Sequence, residues 1–200
     1  MEYELLDVKN PENIKLLVKK ITESHPDLDT LFNNAGIQRI LSFKENEQPT
    51  YEQITEEIET NLTGLILVSS AFISLLKKQP RAKIIHVSSG LALVPLVRAP
   101  IYSATKSAVR AFTTAIREQL RDTSINVVEL IPPLVKTNLH KEQGRTPPHA
   151  MDLDQFIQET MLALESDKEE LAIGRAKILR IASRIAPKRF LKILNQNPGN

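Results

Sequence analysis

Cysteine is absent from the chain, which excludes a disulfide framework, thiolate metal sites and a cysteine nucleophile. That absence fits a reducing compartment. Glycine is scarce: six occur, and none precedes Gly36. Long hydrophobic runs are missing too. The greasiest stretch, 62–76, is interrupted by Thr63, Ser69, Ser70 and Ser74 and is too short to span a bilayer. The opening residues MEYELLDVKNPENIK have no apolar core of the kind a signal peptide needs. Charge is nearly balanced at +2, so nothing demands a nucleic-acid partner. His25, His86, His140 and His149 are scattered without ligand spacing, so no metal site is expected. The expectation is a soluble, cytoplasmic protein.

What is present reads as one globular domain, residues 1–200, of ordinary composition: 42% apolar and 25% charged. Short β-rich runs alternate with longer helical patterns. Residues 3–6 read as a strand fragment. Asn10-Pro11-Glu12 then opens a helix with a cap, a first-turn proline and an early acid, and Ile14, Leu17, Val18 and Ile21 form its apolar stripe. Residues 28–32 form a buried strand that runs into the turn Asn33-Asn34-Ala35-Gly36. The pattern continues with a helix over 51–78, a strand over 82–89 and a helix over 103–121. A strand over 125–131, a helix over 153–164 and a short strand over 170–173 complete it. Strand–helix alternation with apolar strands predicts an α/β fold, a doubly wound parallel sheet of the Rossmann type.

Tyr102 and Lys106 carry the first chemical signal. Four residues apart on a helix, they share one face. A phenol titrates near pH 10, too high for a base at neutrality. An ammonium ~5 Å away, at an effective dielectric of ~20, favours phenolate by roughly 3 kcal/mol, about two pKa units. Such a pair alone is weak, because most are solvated helix surface. Its neighbours strengthen it. Ser88-Ser89-Gly90 ends a buried strand, Asn33 to Gly36 ends the preceding one, and both fall at the carboxyl edge where open α/β sheets bind ligands. Asn61 sits inside a helical pattern for which asparagine is a poor choice. Singly, each has a bland reading: a turn, a cap, a satisfied strand end.

Taken together, Asn33 to Gly36, Asn61, Ser89 and Tyr102/Lys106 resemble the short-chain dehydrogenase/reductase family. Ser89 precedes Tyr102 by 13 residues, the family's spacing, which favours Ser89 over Ser88. The segment Pro132-Pro133-Leu134-Val135-Lys136-Thr137 is similar to the family's Pro-Gly-x-x-x-Thr segment, with Pro133 replacing the glycine. Asp7-Val8 looks like its adenine-contacting pair, and the segment 180–194 is similar to DltE-like members. The resemblance implies an oxidoreductase transferring hydride between NAD or NADP and a carbonyl or secondary alcohol. Tyr102 would exchange the proton, Lys106 would lower the Tyr102 pKa and hold the nicotinamide ribose, Ser89 would bind the substrate oxygen, and Asn61 would hold a relay water. Asp7, Val8, Asn34, Ala35, Gly36, Tyr102, Lys106, Pro132, Val135 and Thr137 would contact the cofactor. Homo-oligomerisation through the helices over 51–78 and 103–121 is implied as well.

The family holds the dinucleotide pyrophosphate on a glycine-rich turn after its first strand. With no glycine before Gly36, the resemblance implies a chain lacking the first two strands and that turn. A bare edge strand, poor stability alone and weak or absent cofactor binding are then expected. An inactive fragment that only binds other subunits is the alternative function. From Leu171 onward no acidic residue occurs, while seven basic residues fall within 175–194 among Ile178, Ile181, Ala182 and Ile185. This basic amphipathic segment reads either as a membrane-surface helix or as a helix over the substrate cleft or a subunit contact. The second is the expectation. The loop 140–151, which would shape the pocket, carries no residue diagnostic of substrate.

Overall fold

The computed structural model describes residues 2–44, 48–139 and 149–196. Its strands are β1 (Thr30–Asn33), β2 (Ala82–Val87), β3 (Ile125–Ile131) and β4 (Glu170–Ala172). All three pairings are parallel, in the order β1-β2-β3-β4, with Ile84 opposite Val127 and Leu130 opposite Leu171. Helices α1 (Pro11–Ser24), α2 (Tyr51–Ile58), α3 (Gly64–Leu76), α4 (Pro100–Gln119), α5 (Leu153–Leu164), α6 (Ala176–Ile185) and α7 (Pro187–Asn195) complete the fold. The parallel α/β architecture expected from strand–helix alternation is present.

Both faces of the sheet are covered, which explains why neighbouring residues such as Ile84 and Ile85 of β2, or Val127 and Val128 of β3, are apolar on opposite faces. On one face Ile84 and Val127 join Ile14 of α1, Phe72 and Leu76 of α3 and Ile116 of α4. On the other, Ile85, Val87, Val128 and Leu130 pack with Phe156 and Leu164 of α5. The start of α1 follows its sequence signal: Asn10 Oδ1 accepts from the backbone N–H groups of Glu12 (3.0 Å) and Asn13 (3.2 Å).

Several boundaries depart from the sequence expectation. Residues 3–6 are extended but form no strand, and Tyr3 and Leu5 stand in solvent. The outer edge of β1 has no neighbour among the described residues, so nothing offers 3–6 a ladder. The helix expected over 51–78 is split by a π-helical turn, Glu59–Thr63, with Asn61 in its middle. Helix α4 begins three residues earlier than expected because Pro100, with its fixed φ, occupies the first turn. Pro187 divides the C-terminal segment into α6 and α7. Helix α6 buries Ala176 and Ala182 and lays Leu179 over Gly90, as expected for a helix covering the cleft. Residues 140–148 of the expected pocket loop lie outside the described residues.

Candidate active site

Parallel strands bring their carboxyl ends to one edge, and the residues following β1, β2 and β3 meet there around a cavity of about 1280 Å³. Asn34, Gly36, Ser89, Tyr102, Lys106, Pro132, Val135 and Thr137 all line it. Leu96, Leu179, Phe190 and Leu194 make much of the remaining wall apolar.

The two serines ending β2 have different work. Ser88 is buried and donates to Glu129 Oε1 at 2.6 Å, within an ion-pair cluster that joins Glu129 and Glu170 to Arg110 of α4. Ser89 lines the cavity, its Oγ accepting the Leu91 N–H (3.1 Å), and it is close enough to Tyr102 to favour the ionised phenol. Strand alternation decides this, since consecutive side chains point to opposite sides. The structure therefore puts Ser89, not Ser88, beside Tyr102.

Burial dominates the titration of both Tyr102 and Lys106. Tyr102 is buried, and desolvation pushes its phenol up to about 12, opposed by the Ser89 hydrogen bond and reinforced by the nearby Glu57 carboxylate. Lys106 is buried as well, and desolvation brings its ammonium down to about 8. Its Nζ donates to Val87 O (2.8 Å) and lies 5.6 Å from the centre of the Tyr102 ring. Burial, rather than the neighbouring ammonium, is the largest influence on the Tyr102 phenol. Desolvation disfavours both charges, and the ammonium is turned toward a carbonyl.

Asn61 is fully buried and ties down the turn after β1. Its Oδ1 accepts from Ile37 N–H (2.8 Å), and its Nδ2 donates to Ile37 O (2.8 Å) and Thr105 Oγ (3.2 Å). Both amide hydrogens are committed, so the relay-water role leaves only acceptor capacity on this side chain. A Cβ placed on Gly36 would stand 3.3 Å from Asn61 Oδ1 and 3.6 Å from Lys106 Nζ. Asn61 and Lys106 therefore converge on the Gly36 backbone, and any side chain there would press on both.

Not every expected contact is assembled. Asp7 turns back on its own backbone, Oδ1 accepting from Lys9 N–H at 3.0 Å, and does not line the cavity. Val8 packs on Gly64 and, with Ala35, borders a separate void of about 20 Å³. Asp7, Val8 and Ala35 thus stand apart from this cavity, Val8 and Ala35 at the contact of the α1 turn with β1 and α3. Sequence reasoning also missed Glu57. It is fully buried one turn before Asn61, with Oε1 accepting from Arg39 N–H (3.2 Å) and Oε2 unpartnered. Desolvation pushes it up to about 7, partly opposed by Arg39. A charged residue four positions before Asn61, on the same helical face, was the signal available.

The chain resembles known proteins over most of its length. A family model described as short chain dehydrogenase matches residues 2–148. The chain belongs to the short-chain dehydrogenase family. It is 35% identical over 193 residues to the oxidoreductase DltE of Bacillus subtilis (strain 168), covering 94% of this chain and 76% of that protein. It is 30% identical over 139 residues to the 3-oxoacyl-[acyl-carrier-protein] reductase FabG of Vibrio cholerae, covering 68% of this chain and 54% of that one. Among solved structures, a short chain dehydrogenase from Burkholderia cenocepacia J2315, in complex with NADP, superposes with a TM-score of 0.82. Its identity is 25%, over 94% of this chain and 76% of that one.

Proposed function

We propose that this site transfers hydride between NAD or NADP and a carbonyl or secondary alcohol, with Tyr102 as the proton-exchanging residue. The observation that carries the reading is the convergence of Ser89, Tyr102 and Lys106 on one cavity at the carboxyl edge of the sheet, with Lys106 Nζ 5.6 Å from the Tyr102 ring centre. The nicotinamide end of a dinucleotide fits: the cavity is large enough, and Gly36 opens space beside Asn61 and Lys106. Asn34, Gly36, Pro132, Val135 and Thr137 would border it, with Lys106 reaching the ribose hydroxyls. When bound, the nicotinamide supplies or accepts the hydride.

The chain's own residues do the rest. Ser89 and Tyr102 present two hydroxyls to one substrate oxygen, orienting it and stabilising the charge that grows on it. With its pKa near 12, the Tyr102 phenol holds its proton at neutral pH and is ready to donate it to a carbonyl being reduced. In the oxidative direction the phenol must lose that proton first, which requires a charged Lys106 closer to its oxygen. Asn61 holds the Gly36–Ile37 backbone in place. The apolar wall excludes water from the exchange.

A second reading, that these 200 residues bind subunits rather than turn over substrate, draws on the sheet: the outer edge of β1 is open among the described residues and offers unpaired backbone groups to another chain. Calorimetric titration with NADH and NADPH, followed by turnover on a panel of ketones, separates the two. Micromolar binding with turnover at least roughly a hundredfold lower in Tyr102→Phe is the result expected of the first reading. Unchanged turnover in that variant defeats it, and absent binding favours the second.

A further inference from the structure

Helix α6 is apolar over a broad sector, and only part of that sector is covered. The inner face buries Ala176 and Ala182 and sets Leu179 against Gly90. Ile178, Ile181 and Ile185 recur at spacings of three and four and share the outer face, where they are 59%, 60% and 77% exposed. No described residue covers them. Isolated exposed apolar side chains are ordinary, but three isoleucines aligned on one helix form a patch that marks an interaction surface.

The charge around this patch is of one sign. The helical period places Lys177 and Arg184 along one border of the isoleucine stripe. On α7, Lys188, Arg189 and Lys192 share the side opposite Phe190 and Leu194, which line the cavity. None of these five basic residues forms a salt bridge among the described residues; Arg180 alone pairs, with Glu170 at 3.5 Å. No acidic residue occurs from Leu171 to the last residue. A protein partner would need a matched acidic surface around an apolar strip. An anionic bilayer supplies both together, with phosphate headgroups for the cations and acyl chains for the isoleucines.

We propose that α6 and α7 form a peripheral docking surface for anionic lipid bilayers, with Ile178, Ile181 and Ile185 entering the interface and Lys177, Arg184, Lys188, Arg189 and Lys192 engaging headgroups. Ile178 and Ile193 are exposed and also line the cavity, so docking sets the cavity rim against the lipid. The proposal does not depend on the oxidoreductase reading, because its test measures no turnover.

The full chain is mixed with vesicles of phosphatidylcholine alone and with vesicles containing phosphatidylglycerol, and sedimented. Binding about tenfold or more stronger to the anionic vesicles, and weakened by added salt, is expected. The double variant Ile181→Asp, Ile185→Asp should abolish it, and Lys177→Gln, Arg184→Gln should weaken it severalfold. Circular dichroism confirms that the variants are folded; should the aspartates disrupt the chain, the glutamine pair alone decides. Sedimentation with neither vesicle, or binding that both variants leave intact, overturns the proposal. Self-association that the aspartates abolish, without any lipid binding, assigns the face to a second copy and overturns it as well.

Discussion

Lys106 is held where an ammonium is least comfortable, with 3% exposure and a hydrogen bond to Val87 O. Its pKa falls from 10.5 to about 8 on burial. Between those values the unfolded chain binds the proton and the folded chain does not, so folding is penalised at every pH below about 8. The penalty is about 3 kcal/mol and fades as pH rises toward 10.5. Replacing Lys106 with Met keeps most of the stem and removes the charge, at the loss of one hydrogen bond that contributes about 1 kcal/mol. Lys106→Met is therefore expected to be more stable than the parent chain at neutral pH by roughly 1–2 kcal/mol, with the gap closing toward pH 10.5. Urea denaturation at both pH values measures it. If the proposed function is right, the same variant loses most of its turnover, the trade expected when a strained group is retained for chemistry.

At the scale of elements, the junction of α2, the π-helical turn and α3 does most to build the site. A π turn adds a residue to the helical cycle. Here it sits between Glu57 and Gly64 and holds Asn61, whose side chain reaches back to Ile37. Gly64 begins α3 under Val8: a Cβ there would meet Val8 Cγ2 at 2.8 Å and Val8 O at 2.9 Å. Two effects compete in Gly64→Ala. Helix propensity favours alanine by about 1 kcal/mol, whereas overpacking costs about 1–3 kcal/mol. Because one of the atoms met is a backbone oxygen, the neighbour cannot rotate away, and the clash wins. A lower urea midpoint, equivalent to a net loss of roughly 1 kcal/mol, is the expected result; a higher midpoint would show that the 2–8 segment yields freely.

For the molecule as a whole, two buried groups pull its pH dependence in opposite directions. His86 links α3 to α4 through Ser69 and Thr113, both at 2.9 Å, and desolvation lowers it from 6.5 to about 4. The unfolded chain takes up that proton first, so stability is lost as pH falls from 6.5 through 4, by up to about 3 kcal/mol. Glu57 is raised from 4.5 to about 7, so its folded form keeps a proton that the unfolded chain releases. Stability is lost there as pH rises from 4.5 through 7. The windows overlap, and the two slopes offset each other in the parent chain. Relative to the parent, His86→Gln should gain stability as pH falls below 6.5, and Glu57→Gln should gain it as pH rises above 4.5. Urea titrations across that range check both signs; parallel curves for parent and variants would refute the assignment.

Much of this was legible in the sequence because it is local. Asn10 and Pro11 start α1 through groups within three residues, β3 and α5 fall at 125–131 and 153–164 as expected, and the period of four places Tyr102 beside Lys106. The spacing of Ser89 to Tyr102, with Asn61 and the Asn33–Gly36 turn, carried the family as well. What depended on distant partners was not legible. Residues 3–6 have strand-like composition but no ladder to join, and the packing of Val8 over Gly64 depends on a helix more than fifty residues away. Burial decided the rest: desolvation, not the neighbouring ammonium, sets the Tyr102 pKa, and Glu57 became a buried acid near it. The α6 pattern promised one apolar face, yet only its packing over Gly90 shows that the isoleucines were left outside. Sequence determines period and local hydrogen bonding. Solvation of a given atom is a property of everything that surrounds it, and the tertiary structure alone assembles those surroundings.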